Sequence, residues 1–380
     1  MQKINDIFSC RALFLIIGFY IGLWTIRIPT IKDQIETDYL GIGYIFLVFA
    51  IGSIITMVFA NNIIKKFSSQ KTILYSGVIQ GVLWLAMPFI NNLQNFMPLA
   101  FIFGWCFGVF EVAINYQASE IEKKEKKSMM SAFHGFFSLG LLLGAFLTSL
   151  CLQWRIDFFI NTLIYVIILV PFTFIFASSL EKDEKTLENN KGNIFFIWPI
   201  IIFLLVLLSI ANALTEGGVD AWGALYMRDV IEVDGFKIGI ATICFNTFMV
   251  IGRFTGDRLR DRLGVFLFLI ILIFLSLFGL IILYYFDTLL SSIIGFSTLG
   301  MGASSIVPIA YSLAGKVRGI DSAVGITIIS ISVYGVFMIA PVALGFLANS
   351  FGVNYVYLPM IIIFIINLIT IGIFRKRFIL

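Results

Sequence analysis

Twelve apolar runs, each long enough to cross a bilayer, decide what this chain can fold into. They lie at 9–30, 40–62, 71–90, 96–118, 129–151, 157–179, 194–219, 236–256, 264–285, 287–314, 321–348 and 354–374. About 20 apolar residues in helical form cover the ~30 Å of hydrocarbon, and backbone polar groups in lipid must be satisfied within each segment. No strand-like alternation runs through them. The expected fold is therefore an all-α integral membrane bundle of twelve transmembrane helices, not a β-barrel. Composition agrees: 60% of residues are hydrophobic and 13% charged, and mean hydropathy is +1.01, against about 45–50% apolar and about 25% charged in soluble domains. The first run follows "MQKINDIFSC" with no small-residue cleavage site and reads as a retained helix.

Basic residues orient the chain. With the N-terminus placed in the cytoplasm, twenty-one of the 26 Lys and Arg fall on the cytoplasmic side. That count includes Arg253, Arg258, Arg260 and Arg262 as one cytoplasmic group after the eighth run. Only Arg27, Lys32, Arg155, Arg228 and Lys237 fall opposite. The bias predicts a multi-pass protein with both termini inside. The net charge of +4 is spread at helix ends and forms no nucleic-acid-binding stripe. The basic tail "FRKRFIL" is a positive-inside anchor or a contact with anionic membrane lipid.

Several chemistries are excluded by absence from the sequence. The four cysteines lie on different runs with no CxxC, and His134 is the only histidine, so neither a disulfide framework nor a zinc site is expected. No GxxxxGK[ST], HExxH or GxSxG occurs, which removes an ATP motor and the commonest hydrolases. No metal, no cofactor and no enzymatic activity are expected.

The chain reads as two halves: an N-terminal six-helix bundle at 1–180, a charged cytoplasmic linker at 181–193, and a C-terminal six-helix bundle at 194–380. Trp24 precedes Gly41-Ile42 by 17 residues, and Trp222 precedes Gly239-Ile240 by the same distance. "NNIIKKFSSQK" after the second run corresponds to "DRLRDRLG" after the eighth. Parallel repeats of this kind are a transporter signature. With "GDRLRDRLG" at 256–264, these features resemble the major facilitator superfamily. The stretches "WTIRIPTIKDQI", "GVFEVAINYQASEIE", "MSAFHGFFSLGLLLGA" and "EGGVDAW" resemble its MosC-like and YbjJ-like branch. The resemblance implies two pseudo-symmetric bundles alternating access to a midplane site, in a bacterial inner membrane. It also implies a latch role for Asp261 and Arg262. The first-half copy departs from the pattern, with Lys65 where the family has Asp. The helix-five proline motif of drug/proton antiporters is absent.

Candidate functional residues follow from polar groups set in apolar runs. Gly104, Gly108, Glu111 and Asn115 share one helical stripe, expected to be the cavity face of the fourth helix, with the glycines there for close helix packing. An intramembrane carboxylate faces protein or water, so Glu111 is either a packing residue or a proton or substrate site. His134, at a similar depth on the fifth helix, is its expected partner, or else a helix–helix hydrogen bond. Tyr20, Trp24, Asn115, Asn212, Asn246 and Tyr311 are candidate substrate contacts. Gln80, Asn161 and Trp222 are weaker ones. Arg27 with Glu216 or Asp220 is the expected outer gate, both clusters being placed toward the external side.

The expected function is secondary, proton-coupled transport of a small polar organic solute such as a sugar or polyol, by a monomer. Movement of an amphipathic metabolite or a siderophore-like compound is the other transport reading. A membrane enzyme or a sensor would need groups or domains that are not visible.

Overall fold

The computed structural model describes residues 5–125, 129–182, 198–314, 317 and 322–378. Most of the expected linker at 181–193 lies outside them. The described chain is helical, without a strand. Its helices are α1 (Asp6–Gln34), α2 (Tyr39–Phe67), α3 (Ser69–Leu83), α4 (Leu93–Glu125), α5 (Met130–Gln153) and α6 (Phe158–Ser179). They continue with α7 (Ile200–Asp229), α8 (Ile240–Leu263), α9 (Val265–Tyr285), α10 (Leu289–Ala303), α11 (Ile306–Ala314), α12 (Ser322–Phe351) and α13 (Tyr357–Ile373). Twelve spans are long and apolar enough to cross a membrane, α10 and α11 together making one.

Short polar side chains start these helices. The Asn5 side chain accepts from the Ile7 N–H, and Asp38 accepts from Gly41 at 2.7 Å. Asp157 accepts from Phe159 at 2.8 Å, and Thr288 and Ser291 form a reciprocal capping box. Each satisfies an amide that the first turn leaves orphaned.

The tenth span breaks at Ser304-Ser305, where a continuous run at 287–314 is expected from composition. Pro308 supplies the reason. It has no N–H to give the Ser304 carbonyl four residues back; at the break the Ser304 hydroxyl donates to the Met301 carbonyl at 2.7 Å.

The chain divides into two compact units, 1–189 with 234–236 and 190–233 with 237–380. Within the first, α1 packs on α5 and α6, α2 on α4, and α3 on α4 and α6. Within the second, α7 packs on α12 and α13, α8 on α10, and α9 on α10 and α13. The second scheme is the first shifted by six spans. The helix-joining turns match as well. Gly264, between α8 and α9, has φ 77° and ψ 158°, and Ser68, between α2 and α3, has φ 75° and ψ 153°. That conformation is all but confined to glycine. Ser68→Gly is expected to stabilise the protein by about 1 kcal/mol, read as a rise in thermal unfolding midpoint in a fixed detergent.

Glycines set the closest contacts. A Cβ on Gly140 or Gly144 of α5 would overlap the carbonyl of Leu15 or Phe19 on α1. Small residues let membrane helices approach in this way. Gly104 and Gly108 do the same against Phe49 and Ser53 of α2, as small residues placed for close packing should. The stripe on α4 is straight, but its first half meets α2.

Candidate functional site

The second half of that stripe meets different neighbours. Glu111 and Asn115 of α4, His134 and Phe137 of α5, and Phe14 and Ile17 of α1 line a cavity of about 110 Å³, completed by Phe107, Phe110 and Ile114. Glu111 and Asn115 are half-buried, and His134 is exposed. The Asn115 amide donates to the Glu111 carbonyl at 2.9 Å, which orients it one turn beyond the carboxylate. The His134 ring lies 5.3 Å from that of Phe14, centroid to centroid. Ser138, one turn on, donates to the His134 carbonyl at 3.2 Å. The cavity holds about four water volumes. It therefore fits a group of a few heavy atoms, not a large ligand in full.

The remaining first-unit candidates lie elsewhere. Tyr20 is buried and stacks on Trp84 at 5.7 Å, with planes 12° apart. Trp24 packs edge-on against Phe46 and Trp84. Both belong to an aromatic cluster centred on Trp84, which the sequence reading passed over. None of the three lines the cavity. Gln80 is buried nearby, one turn before Trp84.

Arg27, expected to meet Glu216 or Asp220, has other partners. It is only 3% exposed. Its Nε and Nη2 donate to Asn161 Oδ1 at 3.0 and 2.9 Å, and Nη2 also donates to the Ile156 carbonyl at 3.1 Å. The Phe158 ring lies 5.2 Å from the guanidinium carbon. A buried cation needs donors met, and Asn161 of α6 with the Ile156 carbonyl just ahead of it meets Nε and Nη2 inside the same unit.

In the second unit, Glu216 is close to the middle of α7, not at its end. Asn212, fully buried, donates to Glu216 Oε1 at 2.7 Å, and Arg253 of α8 approaches the same oxygen at 3.5 Å. This corrects the placement of Arg253 in a cytoplasmic loop: it lies within the span Gly235–Gly256. It is the functional candidate that sequence reasoning missed. The signal was available, since Arg253 falls inside the 236–256 run that the sequence itself delimits. Asp220 sits one turn beyond Glu216, half-buried. Asn246 is buried and bonds back to the Thr242 carbonyl at 3.0 Å, and Tyr311 shares a 3.2 Å hydrogen bond with Ser330. Trp222 is fully buried in the helical core. Asp261 and Arg262 are exposed in the last turn of α8, where Asp261 lies 3.6 Å from its neighbour Arg260.

Among the described residues no cluster of three or more His, Cys, Asp or Glu side chains is arranged to hold a metal. The arrangement sets ionisable groups inside long apolar helices, the setting in which transporters handle solutes.

Comparison with known proteins agrees. The family profile described as Major Facilitator Superfamily matches residues 9–323. An uncharacterised MFS-type transporter of Yersinia pestis is 28% identical over 344 residues, covering 90% of this chain and 88% of that one. Membrane protein MosC of Rhizobium meliloti is 25% identical over 356 residues, covering 93% and 86%. A mutant of the nucleoside transporter NupG superposes with a TM-score of 0.78 at 11% identity, over 97% of this chain and 99% of that one. A bacterial homologue of the human lysosomal transporter Spinster gives 0.73 at 10% identity, over 98% and 96%. The two structures share the fold alone. The chain belongs to the Major Facilitator Superfamily, in its MosC-like branch, and is a multi-pass membrane transporter of small molecules, not an enzyme.

Proposed function

We propose that this transporter moves a small polar organic solute across the cytoplasmic membrane by alternating access, coupled to protons at Glu111. One observation carries the reading. The carboxylate inside α4, the chain's single imidazole and an amide line one cavity. A charged carboxylate in the membrane interior is costly, and protonation or a polar partner relieves that cost. Imidazole titrates near neutrality, so the Glu111–His134 pair can hold or release a proton as its exposure changes. Asn115 keeps its side-chain carbonyl for a solute hydroxyl. The four phenyl groups of Phe14, Phe107, Phe110 and Phe137 offer apolar faces to a ring.

The positive-inside bias of the sequence supports cytoplasmic termini. The apolar side chains exposed on the outer helices suit contact with lipid around a monomer. The second reading is transport of an amphipathic metabolite or siderophore-like compound, and six apolar residues among the nine lining the cavity favour it.

A thermal-shift screen of the purified chain against sugars, polyols, nucleosides, carboxylates and siderophores distinguishes the two. One neutral polar class is expected to raise the unfolding midpoint. The shift is expected to disappear in Asn115→Leu, which fills the cavity and removes its amide. A shift that survives that substitution places the solute elsewhere.

A further inference from the structure

Residues 322–380 contain no Asp or Glu, yet three consecutive cations, Arg375, Lys376 and Arg377, stand near their end. The structure gives these cations a defined place. After α13 the chain makes a single 3-10 turn, Arg375–Arg377. The Arg377 amide donates to the Phe374 carbonyl at 2.8 Å, and the Phe378 amide to the Arg375 carbonyl at 3.0 Å. Phe378 is fully buried, and it extends the buried stripe Met360, Phe364, Asn367 and Ile371 by two turns. A charge that serves only to mark the inner side needs no such pin. The buried ring holds the turn in place and leaves all three basic side chains exposed. None of the three makes an ion pair among the described residues. The elements packed against α13 offer no counter-charge nearby: α9 and the turn Val353–Val356 have no charged residue, and α7 has none before Glu216.

A second observation points to what would meet them. Ile362, Ile366, Ile369 and Ile373 recur at i, i+4, i+7 and i+11 and are 50%, 42%, 55% and 70% exposed. They make an apolar track about 16 Å long on the outside of α13, close to the ~15 Å of hydrocarbon in one leaflet. Lys376 and Arg377, three and four residues after Ile373, are the positions that continue it. The track therefore ends in positive charge. A ligand that complements both parts has an anionic head and an acyl chain one leaflet long.

We propose that the isoleucine face of α13 and the turn Arg375–Arg377 form a binding site for one anionic phospholipid. The guanidinium groups suit the phosphate oxygens, which accept two parallel hydrogen bonds from one arginine, and Lys376 adds a point charge. In the orientation supported above, the lipid belongs to the inner leaflet. The site is separate from the Glu111 cavity and stands without it.

The test uses the full-length chain in detergent, with bound lipid counted by native mass spectrometry. Phosphatidylglycerol is titrated in one arm, phosphatidylcholine with the same acyl chains in a second and inorganic phosphate in a third. The first phosphatidylglycerol is expected to bind at least tenfold more tightly than phosphatidylcholine, and phosphate not to bind. Each basic residue beside anionic lipid is worth about fivefold in affinity. The triple variant Arg375→Gln, Lys376→Gln, Arg377→Gln is therefore expected to lose at least tenfold for phosphatidylglycerol and nothing for phosphatidylcholine. The variant Lys65→Gln, Lys66→Gln, Lys71→Gln removes as many exposed charges from the first unit and is expected to keep the preference. Equal losses in the two triple variants assign the effect to bulk charge and overturn the site. So does phosphate that binds as tightly as the lipid. Binding that appears only once Asp183, Glu184 and Glu188 are neutralised gives the turn to the linker and overturns it too. The wild-type arms decide the matter even if a variant does not fold, since equal affinity for the two lipids contradicts the proposal.

Discussion

Arg253→Met will lower stability by about 2–3 kcal/mol, and adding Glu216→Gln will restore most of it. The substitution keeps the stem that packs along α8 and removes the charge. It leaves Glu216 near the middle of α7 with Asn212 alone to meet it. Removing one partner of a buried pair typically costs 3–5 kcal/mol, whereas exposed pairs are worth at most about 1 kcal/mol. The side chains here are 31% and 27% exposed, which places the effect between those limits. Neutralising Glu216 as well removes the stranded charge, and Gln still accepts from Asn212. A double-mutant cycle by SDS-titrated unfolding reads the coupling directly. Additive single effects contradict the pairing.

The larger functional effect is expected at Glu111. Glu111→Gln keeps the shape and hydrogen-bonding reach of the side chain but holds no exchangeable charge. Solute exchange across the membrane needs only the cavity and the moving bundles, so counterflow is expected to survive within about threefold. Net proton-driven accumulation needs a group that changes protonation between the two faces, and it is expected to fall at least 100-fold, a loss of about 3 kcal/mol of coupling. His134→Asn, which keeps a polar ring-sized group without titration near neutrality, is expected to flatten the pH dependence of accumulation between pH 6 and 8. Initial rates in right-side-out vesicles over that range check it. An unchanged profile assigns His134 to packing.

Much of this was legible before any coordinates, because the governing physics is local. Length and hydropathy alone place twelve spans, since lipid allows an apolar run few alternatives to a helix. Counting depth along two antiparallel spans put Glu111 and His134 at a similar level, and both line one cavity, whose α1 wall was not foreseen. What was not legible depends on which neighbour a helix face meets. Gly104 and Glu111 point the same way on α4, yet one packs on α2 and the other lines a cavity with α1 and α5. Arg27 was read from depth as a gate residue, whereas α6 brings Asn161 beneath it. Arg253 was counted with the basic loop because its neighbours Arg258, Arg260 and Arg262 are there. Its partner became visible only once α8 was set against α7. The break at Ser304-Ser305 was hidden by unbroken apolarity, although Pro308 marked it.

The most direct test of the central claim is solute-driven proton movement in proteoliposomes. The solute identified by the thermal-shift screen is added outside vesicles that hold a pH-sensitive dye. With wild-type protein we predict that the lumen changes pH as solute moves. With Glu111→Gln we predict solute movement without that change. Equal proton movement in the two proteins contradicts the assignment of Glu111 as the coupling residue.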